Sequence, residues 1–257
     1  MDQAAQPRWI TLGHPSYVWR YGQDRRLSLI QKYAPLENRW ILDIGCGIGT
    51  YVRKFREFSE HVFGIDVEHE RVAEGARSVP HLLVGEAEVL PFKDETFDVI
   101  LLNEVIEHVR DDAQTVADAL RVLRPGGRLI IFAPNRLYLF ETHGIYLGRH
   151  YVFRLIPFIN WLPDVVRRRF CPHVRAYTTR DVRRLFAGQP AKIIHHGYVY
   201  PGFDNIVARH RSVGFTLRNV CYALERTPLQ CFGLSHFVVA ERVSTPPTGL
   251  SGSSSYQ

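Results

Sequence analysis

Eleven residues limit what this chain can fold into more than any other stretch: Trp40-Ile41-Leu42-Asp43-Ile44-Gly45-Cys46-Gly47-Ile48-Gly49-Thr50. An apolar run passes through one acid and breaks into glycines at alternate positions. Val52, Phe55 and Phe58 then recur every third residue, a helical spacing. Strand, glycine turn and helix in that order open a nucleotide-binding βαβ unit. There the glycines let the backbone turn sharply and approach a ligand that any Cβ would hold off. The spacing is G-x-G-x-G rather than the G-x-G-x-x-G of dinucleotide sites, and Asp43 beside the loop is a poor neighbour for a pyrophosphate. A nicotinamide dehydrogenase is therefore the weaker reading.

A second strand reads His61-Val62-Phe63-Gly64-Ile65 and ends in Asp66, 21 residues after Gly45. That spacing suits an acid hydrogen-bonded to ribose hydroxyls, and an N-cap for a helix over 68–77 is the structural alternative. Next come Gly85-Glu86-Ala87-Glu88-Val89-Leu90-Pro91-Phe92, then Phe97-Asp98 heading the apolar run Val99 to Leu102 that ends at Asn103. Such a continuous run marks a central parallel strand buried on both faces. Asp111 and Asp112 open a helix with Val116, Leu120 and Leu123 at i, i+4 and i+7, and Leu123-Arg124-Pro125-Gly126-Gly127-Arg128-Leu129-Ile130-Ile131 closes the series.

These patterns, in this order between residues 40 and 133, resemble the class I S-adenosylmethionine-dependent methyltransferases of the methyltransferase domain 11 and ubiquinone-pathway type. The resemblance implies an α/β fold, Rossmann-like and doubly wound, with a mostly parallel seven-stranded sheet whose last strand is antiparallel. It implies S-adenosylmethionine as cofactor. Asp43 would answer the methionine amino group, while Gly45, Cys46, Gly47 and Gly49 make room for the adenosyl part. Asp66 and Val67 would lie along the ribose, and Asn103 on the cofactor side of its strand end. Glu86 stands where the family usually has Asp; with Ala87 it would meet the adenine.

The residues after Asn103 and after the fifth strand should face the methyl acceptor, because ligands of open α/β sheets sit beyond the carboxyl ends of the strands. In Glu104-Val105-Ile106-Glu107-His108, the two acids and the imidazole fall at i, i+3 and i+4 and share a face if the segment is helical. The E-x-x-E-H pattern resembles ubiquinone-pathway O-methyltransferases and small-RNA 2′-O-methyltransferases, in which the matching residues hold a divalent cation. His108 as base or orienting group is preferred here, since an imidazole titrates near neutrality, and no metal is assigned. His143, in Phe140-Glu141-Thr142-His143-Gly144, is the second catalytic candidate, whereas His195 and His196 read as structural.

A chain of 257 residues with 46% hydrophobic and 23% charged content suits one α/β domain. The domain is placed at 1–243, with lid or substrate insertions at 136–176 and 201–233 and a disordered Ser/Thr/Pro/Gly-rich tail at 244–257. No apolar run approaches the ~20 residues of a membrane-spanning helix, and Met1 to Trp9, with Asp2 and no apolar core, does not read as a secretory signal. Cys46, Cys171, Cys221 and Cys231 form no C-x-x-C pair, so the expectation is a cytoplasmic protein with reduced thiols.

The basicity is local. Ten arginines against Glu141, Asp164 and Asp181 leave +7 between Arg136 and Arg184, and −1 for the rest of a chain whose total is +6. Within it, residues 151–170 mix aromatics, aliphatics and the run Arg167-Arg168-Arg169. The plain reading is a lid with its arginines in solvent. The sharper one is an apolar lid resting on an anionic membrane surface, peripheral contact by a cytoplasmic protein. Nucleic acid is not expected, for want of a recognised RNA-binding module. The whole reads as methyl transfer to oxygen of a small metabolite, lipophilic or glycosylated. An RNA methyltransferase and a non-catalytic cofactor-binding regulator are the alternatives, with acceptor and oligomeric state left open.

Overall fold

The computed structural model describes residues 19–244. The tail expected at 244–257 lies outside them apart from its first residue. Helix α1 (Tyr21–Tyr33) ends just before Pro35, then the chain runs β1 (Ile41–Ile44), α2 (Thr50–Phe55), β2 (Val62–Asp66), α3 (His69–Gly75), β3 (Leu82–Val84) and β4 (Phe97–Asn103). Helix α4 (Asp112–Val122) starts as its sequence requires, the Asp111 carboxylate accepting from the Gln114 amide. It leads directly into β5 (Leu123–Pro134).

Segment 136–176 contributes nothing to the main sheet. It folds into two small ribbons, β6 (Phe140–Glu141) with β9 (Ile156–Pro157) and β7 (Ile145–Leu147) with β8 (His150–Val152), followed by α5 (Asp164–Phe170). Helix α6 (Thr179–Arg184) carries a capping box, Thr178 and Asp181 each serving the other's backbone N–H. After β10 (Ala191–Val199), segment 201–233 forms α7 (Asp204–Arg209) and α8 (Arg211–Leu224), and β11 (Ser235–Arg242) returns.

The sheet order is β10-β11-β5-β4-β1-β2-β3. Every neighbouring pair is parallel except the two that involve β11. The mostly parallel, seven-stranded, doubly wound sheet with an antiparallel last strand is therefore what the chain adopts. Successive residues of each central strand feed opposite layers. Ile100, Leu102 and Ile131 pack beneath α4 and α6, whereas Val99, Leu101 and Phe132 meet α1 and α2. Both layers are buried, which explains the unbroken apolar runs. No described helix is long and apolar enough to cross a membrane.

One buried polar chain ties the antiparallel edge to the rest. His236 Nε2 donates to the Tyr177 carbonyl (2.8 Å), so its Nδ1 is left to accept from His196 Nε2 (3.0 Å). Burial holds both imidazoles below the ordinary histidine range, His196 down to about 4. Unfolded, each takes up a proton near pH 6.5. The unfolded chain thus binds more protons below that pH, and stability falls as pH drops from about 6.5 towards 4. Thermal melts should show this loss, and His236→Gln should flatten the slope; an unchanged slope would refute the assignment.

Candidate active site

The bend after β1 is pinned to the end of β2. Gly45 N and Cys46 N both donate to the Ile65 carbonyl (2.8 and 3.1 Å). Asp66 Oδ2 accepts from Gly47 N and its Oδ1 from Glu68 N, each at 2.8 Å. Asp66 thus braces the loop and the entry to α3 together, although the N-cap residue proper is Glu68. Gly45 and Gly47 take φ of +74° and +55°, a region costly for residues with a Cβ. A Cβ on Gly45 would lie 2.3 Å from Val105 Cγ2, so the chain's own turn after β4 demands glycine there.

Beside this bend lies a cavity of about 630 Å³. Asp43, Gly45, Cys46 and Gly47 line it from β1 and the loop, Asp66 from the end of β2 and Val67 just after it, Glu86 and Ala87 from the turn after β3, and Asn103 from β4. His108 and His143 line it too, with Thr142, Tyr151 and Phe153 from the first insertion. Gly49 is the exception. It caps α2 and faces Leu82 and Val79, because its left-handed φ is needed to start the helix rather than to admit a ligand. Glu86 is exposed, its longer side chain drawn to Arg110 Nη2 (2.8 Å), so it stands at the rim.

Asp43 is buried, and burial, then the nearby Asp66 charge, raise its carboxyl well above the ordinary range. A cationic ammonium beside it would offset both effects. The open glycine bend and these acids therefore fit the amino-acid end and ribose of S-adenosylmethionine, as the sequence resemblance implies.

Residues 104–108 do not form the helix on which a shared face depended. They make a turn, entered through a left-handed Glu104 (φ +57°). Glu104 is thereby turned to Arg26 of α1, accepting from its Nη2 (2.7 Å) and from the Ser235 hydroxyl (2.6 Å). Burial works against its charge, but these partners hold the Glu104 carboxyl below its usual range. Arg26 also bonds Asn103 Oδ1 and lies over the Phe132 ring. Sequence reading missed Arg26; its one signal is its place four residues before the buried Ile30, on the apolar stripe of α1.

The turn instead gathers Glu107, His108 and His143, one ligand-type atom of each lying within 4.8 Å of the others. Glu107 Oε1 is 3.9 Å from His108 Nε2 and 4.0 Å from His143 Nε2. Neither Glu107 oxygen makes a hydrogen bond to a described residue, and burial, then the Glu104 charge, push this carboxyl well up. His143 is held from behind: Glu141 Oε1 accepts from its backbone N (2.9 Å) and lies 3.1 Å from its Nδ1. Glu141 Oε2 accepts from Arg167 Nη2 at 2.8 Å. Despite burial, these bonds bring Glu141 down to about 2.

Arg167 corrects the expectation of a solvent-facing run. It is buried, its other nitrogens donating to Asn160 Oδ1 and the Val174 carbonyl, while Arg168 and Arg169 are exposed. In α5, Arg167 falls on the inner face and its two neighbours do not. Neither Glu141 nor Arg167 was singled out from sequence, since each is one charged residue among many in its segment.

Residues 42–131 match the family model described as a methyltransferase domain. A ubiquinone biosynthesis O-methyltransferase of Aromatoleum aromaticum is 32% identical over 57% of this chain and 67% of its own length. A probable S-adenosylmethionine-dependent methyltransferase of Mycolicibacterium smegmatis is 36% identical over 38% of this chain and 39% of its own. The chain thus spans two thirds of the first relative and well under half of the second. Among solved structures, an S-adenosylmethionine-dependent methyltransferase of Mesorhizobium loti superposes with a TM-score of 0.57 at 17% identity, over 84% of this chain and 96% of its own. The [4+2]-cyclase SpnF does so at 0.57 and 16%, over 91% and 85%. Identities this low show the fold alone.

Gly45→Ala should weaken S-adenosylmethionine binding in calorimetry. Adding Val105→Ala should restore the part due to the clash and leave the ~1–2 kcal/mol of left-handed strain. Full affinity in the single variant would show that the bend does not hold the cofactor.

Proposed function

Because the chain belongs to the S-adenosylmethionine-dependent methyltransferases, we propose that its reaction is methyl transfer to a hydroxyl oxygen of a small, apolar and aromatic acceptor. The observation that carries this reading is the buried series Arg167–Glu141–His143 beside the cavity. The bound cofactor supplies a methyl group on a sulfonium, already a good leaving group. What remains for the protein is alignment and the acceptor's proton.

Asp43 and Asp66 would hold the amino-acid and ribose ends, with Val67, Glu86, Ala87 and Asn103 along the same wall. A carboxylate can only accept, so His143 Nδ1 carries the proton it shares with Glu141 and Nε2 keeps its lone pair. That lone pair takes the hydroxyl proton. The imidazolium formed is stabilised by Glu141, which Arg167 keeps ionised and in place. His108, its ring centroid 5.4 Å from that of His143, orients the acceptor oxygen. Tyr151 and Phe153 offer an aromatic wall suited to a flat apolar body. The curated relative named for ubiquinone biosynthesis is an O-methyltransferase, which supports the choice of oxygen.

Glu107 favours a second reading of the same site. A buried carboxyl without a hydrogen-bond partner among the described residues, facing two imidazoles, is a donor set for a divalent cation. Glu107, His108 and His143 would hold such an ion, and it would acidify the acceptor hydroxyl.

Two measurements decide. With phenolic acceptors and labelled cofactor, His143→Ala and Glu141→Gln should each lower kcat by ~10²-fold or more while cofactor affinity stays near wild type. Wild-type turnover in both variants would remove the base. Elemental analysis should find no stoichiometric divalent metal if His143 acts alone. Metal bound by wild type and lost in Glu107→Gln would favour the cation.

A further inference from the structure

The two insertions expose an apolar surface that the reaction does not account for. Phe158, Trp161 and Phe232 form a row, with ring centroids 5.3 and 6.5 Å apart, and Trp161 Nε1 bonds the carbonyl of the exposed Leu137. Leu155 and Val165, in the same stretch of chain, are 65% and 75% exposed. A surface of this kind marks an interaction site. It borders the active site, since Phe153 both lines the cavity and is 53% exposed.

Charge says what it meets. All three acids between residues 136 and 184 are held by arginines of the same segment: Glu141 by Arg167, Asp164 by Arg136 and Asp181 by Arg184. Arg149, Arg154, Arg168 and Arg169 are exposed and have no acid of the segment left to balance them. Val165, Arg168 and Arg169 share the outer face of α5, apolar stem beside cationic head. Half-buried aromatics that can enter an acyl boundary, ringed by arginines that reach headgroup phosphates, suit a lipid surface. Arginine excess makes it an anionic one.

We infer that residues 137–169, with Phe232 beside them, dock this protein on an anionic phospholipid bilayer, the mouth of the cavity at Phe153 turned towards the lipid. Docking goes beyond the proposed chemistry and does not need it: an apolar acceptor would enter from the bilayer, but adsorption is measured without one.

The full chain should float with vesicles of phosphatidylcholine mixed with phosphatidylglycerol and not with phosphatidylcholine alone. Acyl-brominated lipid should quench tryptophan emission in wild type and much less in Trp161→Phe. Replacing Arg168 and Arg169 by Gln should lower partitioning by roughly tenfold or more. Phe158→Ser with Leu155→Ser should lower it as well, with calorimetric binding of S-adenosylmethionine retained to show that these variants fold. Arg167 is left intact throughout, since it holds Glu141. Equal partitioning of wild type and the Arg168/Arg169 variant would overturn the inference. So would unquenched Trp161, or displacement from vesicles by single-stranded RNA, which would make the surface a nucleic-acid site. None of these results bears on whether oxygen is methylated.

Discussion

Burial of carboxyl groups at one edge of the sheet governs everything built there. Asp43, Asp66, Glu104, Glu107 and Glu141 all lie at or beyond the carboxyl ends of strands, most of them out of reach of water. Three are compensated by the chain itself: Asp66 by two backbone amides, Glu104 by Arg26 and Ser235, Glu141 by His143 and Arg167. Two are not. Asp43 and Glu107 are the carboxyls that burial raises, one by the glycine bend and one by the pair of imidazoles. An uncompensated buried acid is costly unless a cation or proton neutralises it, so at these two positions either would relieve the cost of burial.

The arrangement depends on a strained residue. Glu104 takes a left-handed conformation that only glycine adopts freely. Extended, it would carry β4 onward; bent, it reaches Arg26 and lets the next four residues turn Glu107 and His108 towards His143. The Arg26 ion pair is what holds the bend, and through Ser235 it joins the antiparallel β11 to the first helix. The end of β4 at Asn103 and the turn that begins at Glu104 are thus coupled through one guanidinium.

The sheet by itself does not select a reaction: a [4+2]-cyclase shares this fold with methyltransferases at similar likeness. The rest of the cavity wall comes from what is added to the sheet. The 136–176 segment supplies His143, Glu141 and Arg167, the aromatic pair Tyr151 and Phe153, and the exposed row at Phe158 and Trp161. Residues 228–232 of the second insertion, a short 3₁₀ turn, complete that row with Phe232.

Local physics made the scaffold readable along the chain. Unbroken apolar runs require strands buried on both faces, alternate glycines require a sharp bend, and Asp111 and Thr178 cap helices through bonds three residues away. The order of those signals carried the family, and the residues it pointed to line the cavity beside the bend, Gly49 apart, whose glycine starts a helix. The rest depended on contacts between residues far apart in sequence. Arg26 meets Glu104, Arg167 meets Glu141 and His143 meets Glu107, separations that no periodicity encodes. A charged residue looks the same in sequence whether it faces water or another charge. Arg167 was therefore indistinguishable from Arg168 until packing of α5 put one inside and the other out.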